Sequence, residues 1–211
     1  MQANAFEWHE TAYVGGDFQS RHMKFKQGYS TGIDKNRYLQ GNVYLGLNCN
    51  PFFGFELGFE NSSKQSAMPY LPLEAPYAGQ DITAIDGAAI KTKTTLRGYH
   101  AGLVSFLPLN APFDLKLVAL LGMANLKTKV TSDDYDIDLA EWRYLTFKKK
   151  VWTPRIGMGA QTMINEHFGL RAMVIWEKTS KFGYILASEY NRFKLAPKNS
   201  VTPSIGLFYK F

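Results

Sequence analysis

Val201-Thr202-Pro203-Ser204-Ile205-Gly206-Leu207-Phe208-Tyr209-Lys210-Phe211 is the stretch from which the fold is read. Counted back from Phe211, every second residue is apolar: Tyr209, Leu207, Ile205, Pro203 and Val201. Between them stand Lys210, Phe208, Gly206, Ser204 and Thr202, mostly small or polar. A period of two puts successive side chains on opposite faces of a β-strand, here one greasy and one wetter. The same pattern can be followed back through the chain.

Composition agrees with strands. Aromatic residues make up 15 % of 211 residues, and the 18 glycines suit turns and close strand contacts better than a helical bundle. No run of about 18 apolar residues occurs, which excludes a membrane-spanning helix. Barrel strands need only about 9–11 alternating residues to cross a bilayer, so a membrane is still open. The single cysteine, Cys49, excludes an internal disulfide and a multi-thiolate zinc site. A formal charge of +6 comes without a basic helix or an RNA-binding signature, so no nucleic-acid partner is expected. That charge points instead to acidic glycans or lipopolysaccharide phosphates. Ala3-Asn4-Ala5 fits a small-x-small export cleavage site. Residues 1–6 are therefore read as a residual signal or linker segment and 7–211 as the folded domain.

Eight alternating segments follow. The first, Thr11 to Arg21, opposes Ala12, Val14, Gly16 and Phe18 to Tyr13, Gly15, Asp17, Gln19 and Arg21. After a basic loop, Tyr38 to Cys49 sets Leu39, Val43, Leu45 and Leu47 against Gln40, Asn42, Tyr44 and Gly46. Asn50-Pro51 is a turn signal, and Phe53 to Glu60 alternates Phe53, Phe55, Leu57, Phe59 with Gly54, Glu56, Gly58, Glu60. Asn61 to Lys91 reads as a loop. Lys93 to Leu107 places Tyr99, Ala101 and Leu103 on the apolar side, His100 opposite and Arg97 at the rim. Phe113 to Asn125 and the strand from Trp152 to Gln161 are separated by a loop, Lys127 to Lys150. Phe168 to Glu177 follows a turn at Asn165-Glu166, and Lys178 to Lys198 is the last loop before Val201.

Long connections follow strands one, three, five and seven; short ones follow two, four and six. That rhythm is a meander, and an even strand number lets first and last pair so that no edge stays open. The polar face carries both charge signs at mid-strand, Glu56, Glu60, Lys116, Arg155 and Arg171, beside glycines that make room in a narrow lumen. Aromatic residues gather at strand ends: Trp152, Trp176, Phe53, Phe113 and Phe168 suit interfacial girdles. The predicted fold is all-β, an eight-stranded antiparallel up-and-down transmembrane β-barrel, its apolar face in contact with membrane lipids.

With its Ser204-x-Gly206-x-x-Tyr209-x-Phe211 ending and its G-x-G strand, short turn and G-L-R continuation between Trp152 and Trp176, the chain resembles the OmpA-like eight-stranded barrels. The resemblance implies the bacterial outer membrane and an insertion signal at Ser204, Gly206, Tyr209 and Phe211 read by the barrel assembly machinery. It also implies an interior ion network that plugs the lumen. The expected members here are Glu56, Lys116, Arg155 and Arg171, with Glu60, Asp17, Glu177 and His100 beside them. Two functions are compatible: a structural and surface-interaction protein, adhesin-like and binding lipopolysaccharide or a host surface ligand through its external loops, or a small pore gated by the Glu56 network.

Other patterns are weaker. Ser20-x-His22 has the spacing of the His and Ser pair in lipid-A-modifying barrels, but in reversed order and without an acid, so no catalytic residue is expected. Asp134-x-Asp136-x-Asp138 opens like a calcium loop yet lacks Gly at Leu139 and Glu at Leu145. No metal or other cofactor is expected. Lys148-Lys149-Lys150, where the sixth strand leaves the external surface, is the candidate contact for lipopolysaccharide phosphates.

Overall fold

Each alternating segment becomes a long strand paired antiparallel with its sequence neighbour. The strands are β1 Thr11–Phe25, β2 Arg37–Asn48, β3 Phe53–Ser62, β4 Lys91–Pro108, β5 Lys116–Asp136, β6 Glu141–Met163, β7 Phe168–Glu177 and β8 Pro197–Lys210. β1 also pairs with β8, from Tyr13 opposite Lys210 to Phe25 opposite Pro197, which closes the barrel. Closure leaves no sheet edge for hydrocarbon to strand without hydrogen bonds. The computed structural model describes residues 11–25, 37–67, 70–71, 76–77, 80–81, 88–89, 91–109, 111–136, 141–178, 184–186, 192–194 and 197–211. The expected signal or linker segment, residues 1–6, lies outside them.

Residues 49–52, 109 with 111–115, and 164–167 lie in the short turns, all at one end of the barrel. Two share one device. Asn50 Oδ1 accepts the N–H groups of Phe52 and Phe53, both at 2.8 Å, and Asn165 Oδ1 accepts those of His167 and Phe168 at 3.0 and 2.7 Å. An asparagine side chain that folds onto the backbone ahead of it stands in for a turn hydrogen bond.

The polar face is inside. Along β3, Glu56 is 1 % exposed and its neighbour Leu57 64 %. The same parity holds on every strand, including β4, where His100 is buried while Tyr99 and Leu103 are exposed.

Strand lengths differ from the sequence reading at the long-loop end. β1 runs on to Phe25, taking in His22, and β8 begins at Pro197. Gln65–Ala67, within the expected loop after β3, pairs with β4. Tyr184–Leu186 and Arg192–Lys194 form a small hairpin within the last loop. The largest correction concerns Lys127 to Lys150, expected as a loop: β5 and β6 pair unbroken from Lys116 opposite Gln161 to Asp136 opposite Glu141. Thr128, Val130 and Thr131 favour strand, but the outward positions there are Lys127 and Lys129 rather than apolar residues. A reading keyed to an apolar face therefore stops too early.

Interior aromatic rings lie over the glycine directly opposite on the next strand: Tyr44 over Gly15, Tyr13 over Gly46 and Phe208 over Gly169. A Cβ at any of these glycines would fall within the space of the ring. Gly41 is different, with nothing within 4 Å of where a Cβ would stand. Gly169→Val should lower the stability of the refolded barrel by about 1–3 kcal/mol, and Gly41→Val should change it by less than about 0.5 kcal/mol. Urea titration followed by the mobility difference between folded and unfolded protein on gels checks both.

Candidate functional site

Along β1 the interior reads Tyr13, Asp17, Gln19, Arg21 and Met23, all buried, and this order sets out the lumen from the short-turn end upward. Tyr13, Tyr44 and Phe208 form an aromatic floor, with Tyr13 edge-on to both other rings. Beyond the floor the mouth narrows to a cavity of about 30 Å³, room for roughly one water. Val104, Phe106, Val118, Leu120 and Met173 pack together against one wall. Met23, Tyr38 and Leu96 cluster beyond the last charges.

Two ion clusters lie between floor and cap. In the lower one, Arg171 pairs with both oxygens of Glu56, and Tyr13 donates its hydroxyl to Glu56 Oε1 at 2.7 Å. Arg171 Nη2 is 3.6 Å from Asp17 Oδ2, and its guanidinium stacks 3.9 Å from the centre of the Tyr44 ring. Asn42 donates to Asp17 at 3.2 Å and meets His100 Nε2 at 2.9 Å through its oxygen. The upper cluster crosses two guanidiniums with two carboxylates. Arg21 Nη2 reaches Glu60 at 2.9 Å and Glu177 at 3.0 Å, while Arg155 Nη2 reaches the same two at 3.2 and 2.6 Å. Ser200 donates to Glu177 at 2.7 Å, and Gln40 bridges Gln19 and Glu60.

Of the residues expected in one network, Glu56, Glu60, Asp17, Glu177, Arg155, Arg171 and His100 are brought inside. Lys116 is not. It stands at the short-turn end, half-buried, with Nζ 2.9 Å from Asp114 Oδ2. Its inward parity is as read, but it is the first residue of β5, level with the mouth rather than the lumen. Arg21 is the residue missed. It shares a face with Asp17 and Gln19, a signal present in the sequence, but it is the last residue of the segment as read and was not carried into the network.

Trp152, Trp176, Phe53, Phe113 and Phe168 are all exposed. Phe53, Phe113 and Phe168 lie by the short turns, and Trp152 and Trp176 lie toward the other end. Tyr209 packs against Phe168 and Phe211, each at 5.1 Å between ring centres. Ser204 stands opposite Gln19, and Gly206 opposite Asp17. Phe211 donates its N–H to the Ala12 carbonyl, 3.0 Å away. Lys148 and Lys150 are exposed on β6; the side chain of Lys149 lies outside the described residues. Ser20 accepts a hydrogen bond from Arg37 at 2.8 Å. Asp134 and Asp136 belong to β5, opposite Arg143 and Glu141, and Asp138 lies outside the described residues.

A closed eight-stranded antiparallel barrel with an apolar outer face and paired charges inside is the architecture of a bacterial outer-membrane protein. The chain belongs to the outer membrane protein β-barrel domain family, whose profile matches residues 1–192. It is similar to a major outer membrane protein of Thermus thermophilus at TM-score 0.62 and 10 % identity, covering 96 % of this chain and 99 % of that one. It is also similar to Ail, the attachment invasion locus protein of Yersinia pestis, solved in complex with the heparin analogue sucrose octasulfate. That match has TM-score 0.55 and 13 % identity, covering 96 % and 99 %. A third is the outer membrane protein OprG of Pseudomonas aeruginosa, at TM-score 0.55 and 13 % identity over 96 % and 95 %. At these identities the likeness is one of fold. Among curated proteins none matches the chain in sequence.

Removing one partner of a buried ion pair leaves the other charge without compensation, at a cost of about 3–5 kcal/mol. Arg171→Ala, which strands Glu56 and Asp17 together, should lower stability by that amount. Lys116→Ala, whose pair with Asp114 is partly open to solvent, should lower it by less than about 1 kcal/mol. Urea midpoints of the two variants refolded in the same detergent decide the ranking.

Proposed function

We propose that the protein is a closed scaffold of the outer membrane whose external end contacts anionic surface molecules. The filled lumen is the observation that carries the first half: an aromatic floor, two ion clusters and an apolar cap lie in series along it. In this reading Glu56 and its partners hold the barrel shut and tie its walls together; they do not switch. Trp152 and Trp176 sit at the external interface, Phe53, Phe113 and Phe168 at the periplasmic one. The Ser204, Gly206, Tyr209 and Phe211 surface is what the barrel assembly machinery reads. In this reading the barrel is a contact protein rather than an enzyme; Ser20 accepts a hydrogen bond from Arg37, and the nearby His22 faces outward with it.

Two observations support the second half. The chain carries a net charge of +6, and β5 and β6 extend as one hairpin well beyond the aromatic positions. Ail, of similar fold, is seen with a sulfated sugar analogue, which fits an anionic ligand here.

The pore reading gives opposite results in planar bilayers. The refolded protein should carry no steady current; single-channel steps that change in Glu56→Ala would make it a gated pore instead. For the surface reading, residues 130–147 are replaced by Asn-Gly, which joins the directly opposed Lys129 and Lys148. This variant should keep its heat-shifted gel mobility and lose binding to host cells or immobilised heparin. Undiminished binding would contradict a role for the hairpin.

A further inference from the structure

The outward face of β4, β5 and β6 carries cations in register. Arg97, Lys127 and Lys150 stand side by side across the three strands. One step further from the membrane, Thr95, Lys129 and Lys148 form a second row, followed by Lys93, Thr131 and Thr146. No acidic residue occupies any of these nine outward positions, and hydroxyls fill those that lysine and arginine do not. Like charges directly opposite each other destabilise a sheet. Lys127 is flanked by a cation on both sides, so the strands hold an arrangement that their own pairing does not favour. Neighbouring strands lie about 4.8 Å apart and same-face residues about 6.7 Å apart along a strand, a mesh into which the oxygens of a phosphate fit between three or four side chains. A cavity of about 270 Å³ opens over the β4 and β5 side of the rows, lined by Lys64, Lys93, Arg97, Lys127 and Lys129 with Thr95 and Thr131.

The height of the rows identifies the ligand. Arg97 is two residues beyond Tyr99, and Lys150 two beyond Trp152, both exposed aromatics on the same outward face. Two strand residues span about 6.7 Å, close to the depth of roughly 5–8 Å of the polar layer on one side of a bilayer. Cations at that height meet lipid headgroups before they meet anything free in solution. On the other half of the wall the outward basic residues are Lys178 just past β7, His22 on β1 and Arg37 on β2, and His22 and Arg37 are opposed as a pair rather than as part of a row of three. We infer that the outward face of β4–β6 is a binding site for the phosphorylated sugar headgroup of the outer-leaflet glycolipid. Lys127, Lys129, Lys148 and Lys150 engage phosphate oxygens, and the threonine hydroxyls engage the sugar. Arg97 is braced by Asn61, whose Oδ1 accepts its Nε–H at 2.9 Å. This rests on the reading of the external end as a contact surface for anionic molecules, and gives it a ligand and a seat.

The test is native mass spectrometry of the full refolded barrel in detergent with diphosphoryl lipid A. Two triple variants of equal net charge are compared: Lys127→Gln/Lys129→Gln/Lys148→Gln on the lattice, and Lys116→Gln/Lys178→Gln/Lys210→Gln away from it. The lattice variant should bind lipid A more weakly by roughly a hundredfold, the control variant should match the unmodified protein, and arginine at the same three lattice positions should restore binding. Lipid A stripped of its phosphates should bind unmodified protein and lattice variant alike. Equal retention of diphosphoryl lipid A by both triple variants overturns the site. Loss of heparin binding with lipid A retained overturns the lipid assignment while the surface-contact reading survives. Single Lys129→Gln, read for the same order, replaces the triple variant if that one does not refold.

Discussion

Hydrocarbon satisfies neither a backbone N–H nor a charge, and everything else in this barrel is arranged around that fact. Turning Arg155 or Arg171 to lipid at mid-bilayer costs roughly 2–4 kcal/mol, so the arginines face inward. Once inside they require partners, since a stranded buried charge costs about 3–5 kcal/mol. Glu56, Glu60 and Glu177 supply them from other strands. Arg155 and Glu177 tie the adjacent β6 and β7, while the other pairs join strands that are not neighbours, such as β1 to β7 or β3 to β6, so the clusters act as cross-braces. They also fix register. A one-residue slip of β6 would send Arg155 outward and Trp152 inward, reversing every side chain on that strand.

Filling follows from closure. Eight strands leave an interior only wide enough for side chains, and the glycines opposite Tyr13, Tyr44 and Phe208 let those rings lie flat against the wall. With the lumen occupied, chemistry available to a partner moves to the outer surface: the extended hairpin of β5 and β6, and the cation rows at its foot. The filled lumen and the charged outer rows are thus two consequences of one alternation. Outward positions are apolar along the body of the barrel and cationic where β5 and β6 run on beyond the exposed aromatics.

Strand number, closure and the facing of each side were legible because every membrane strand repeats the same period-two pattern over eight or more residues. On β4 the pattern was divided, each parity carrying one awkward residue, Arg97 or His100; His100 was read inward and Tyr99 outward, and both lie so. Three things were not legible. Parity says which way Lys116 points but not its height, and height is what separates it from Arg171 and gives it to Asp114. Arg21 had the correct parity, yet its partners Glu60 and Glu177 come from strands 39 and 156 residues away, a pairing that only the closed register provides. The reach of β5 and β6 beyond the membrane was hidden because outward positions change there from apolar to basic. Strand propensity continued through Thr128 and Val130 while the apolar signal ended.

Spin-label accessibility along β5 in a lipid bilayer tests the central claim most directly, with single cysteines placed from Leu117 to Leu126 on a Cys49→Ser background. Relaxation by lipid-soluble oxygen should peak at Leu117, Ala119, Leu121 and Met123. At Val118, Leu120 and Ala124 neither oxygen nor a water-soluble nickel chelate should reach the label. Chelate access at the even positions would mean an open, water-filled lumen, and oxygen access there instead of at the odd positions would mean that the barrel faces the other way.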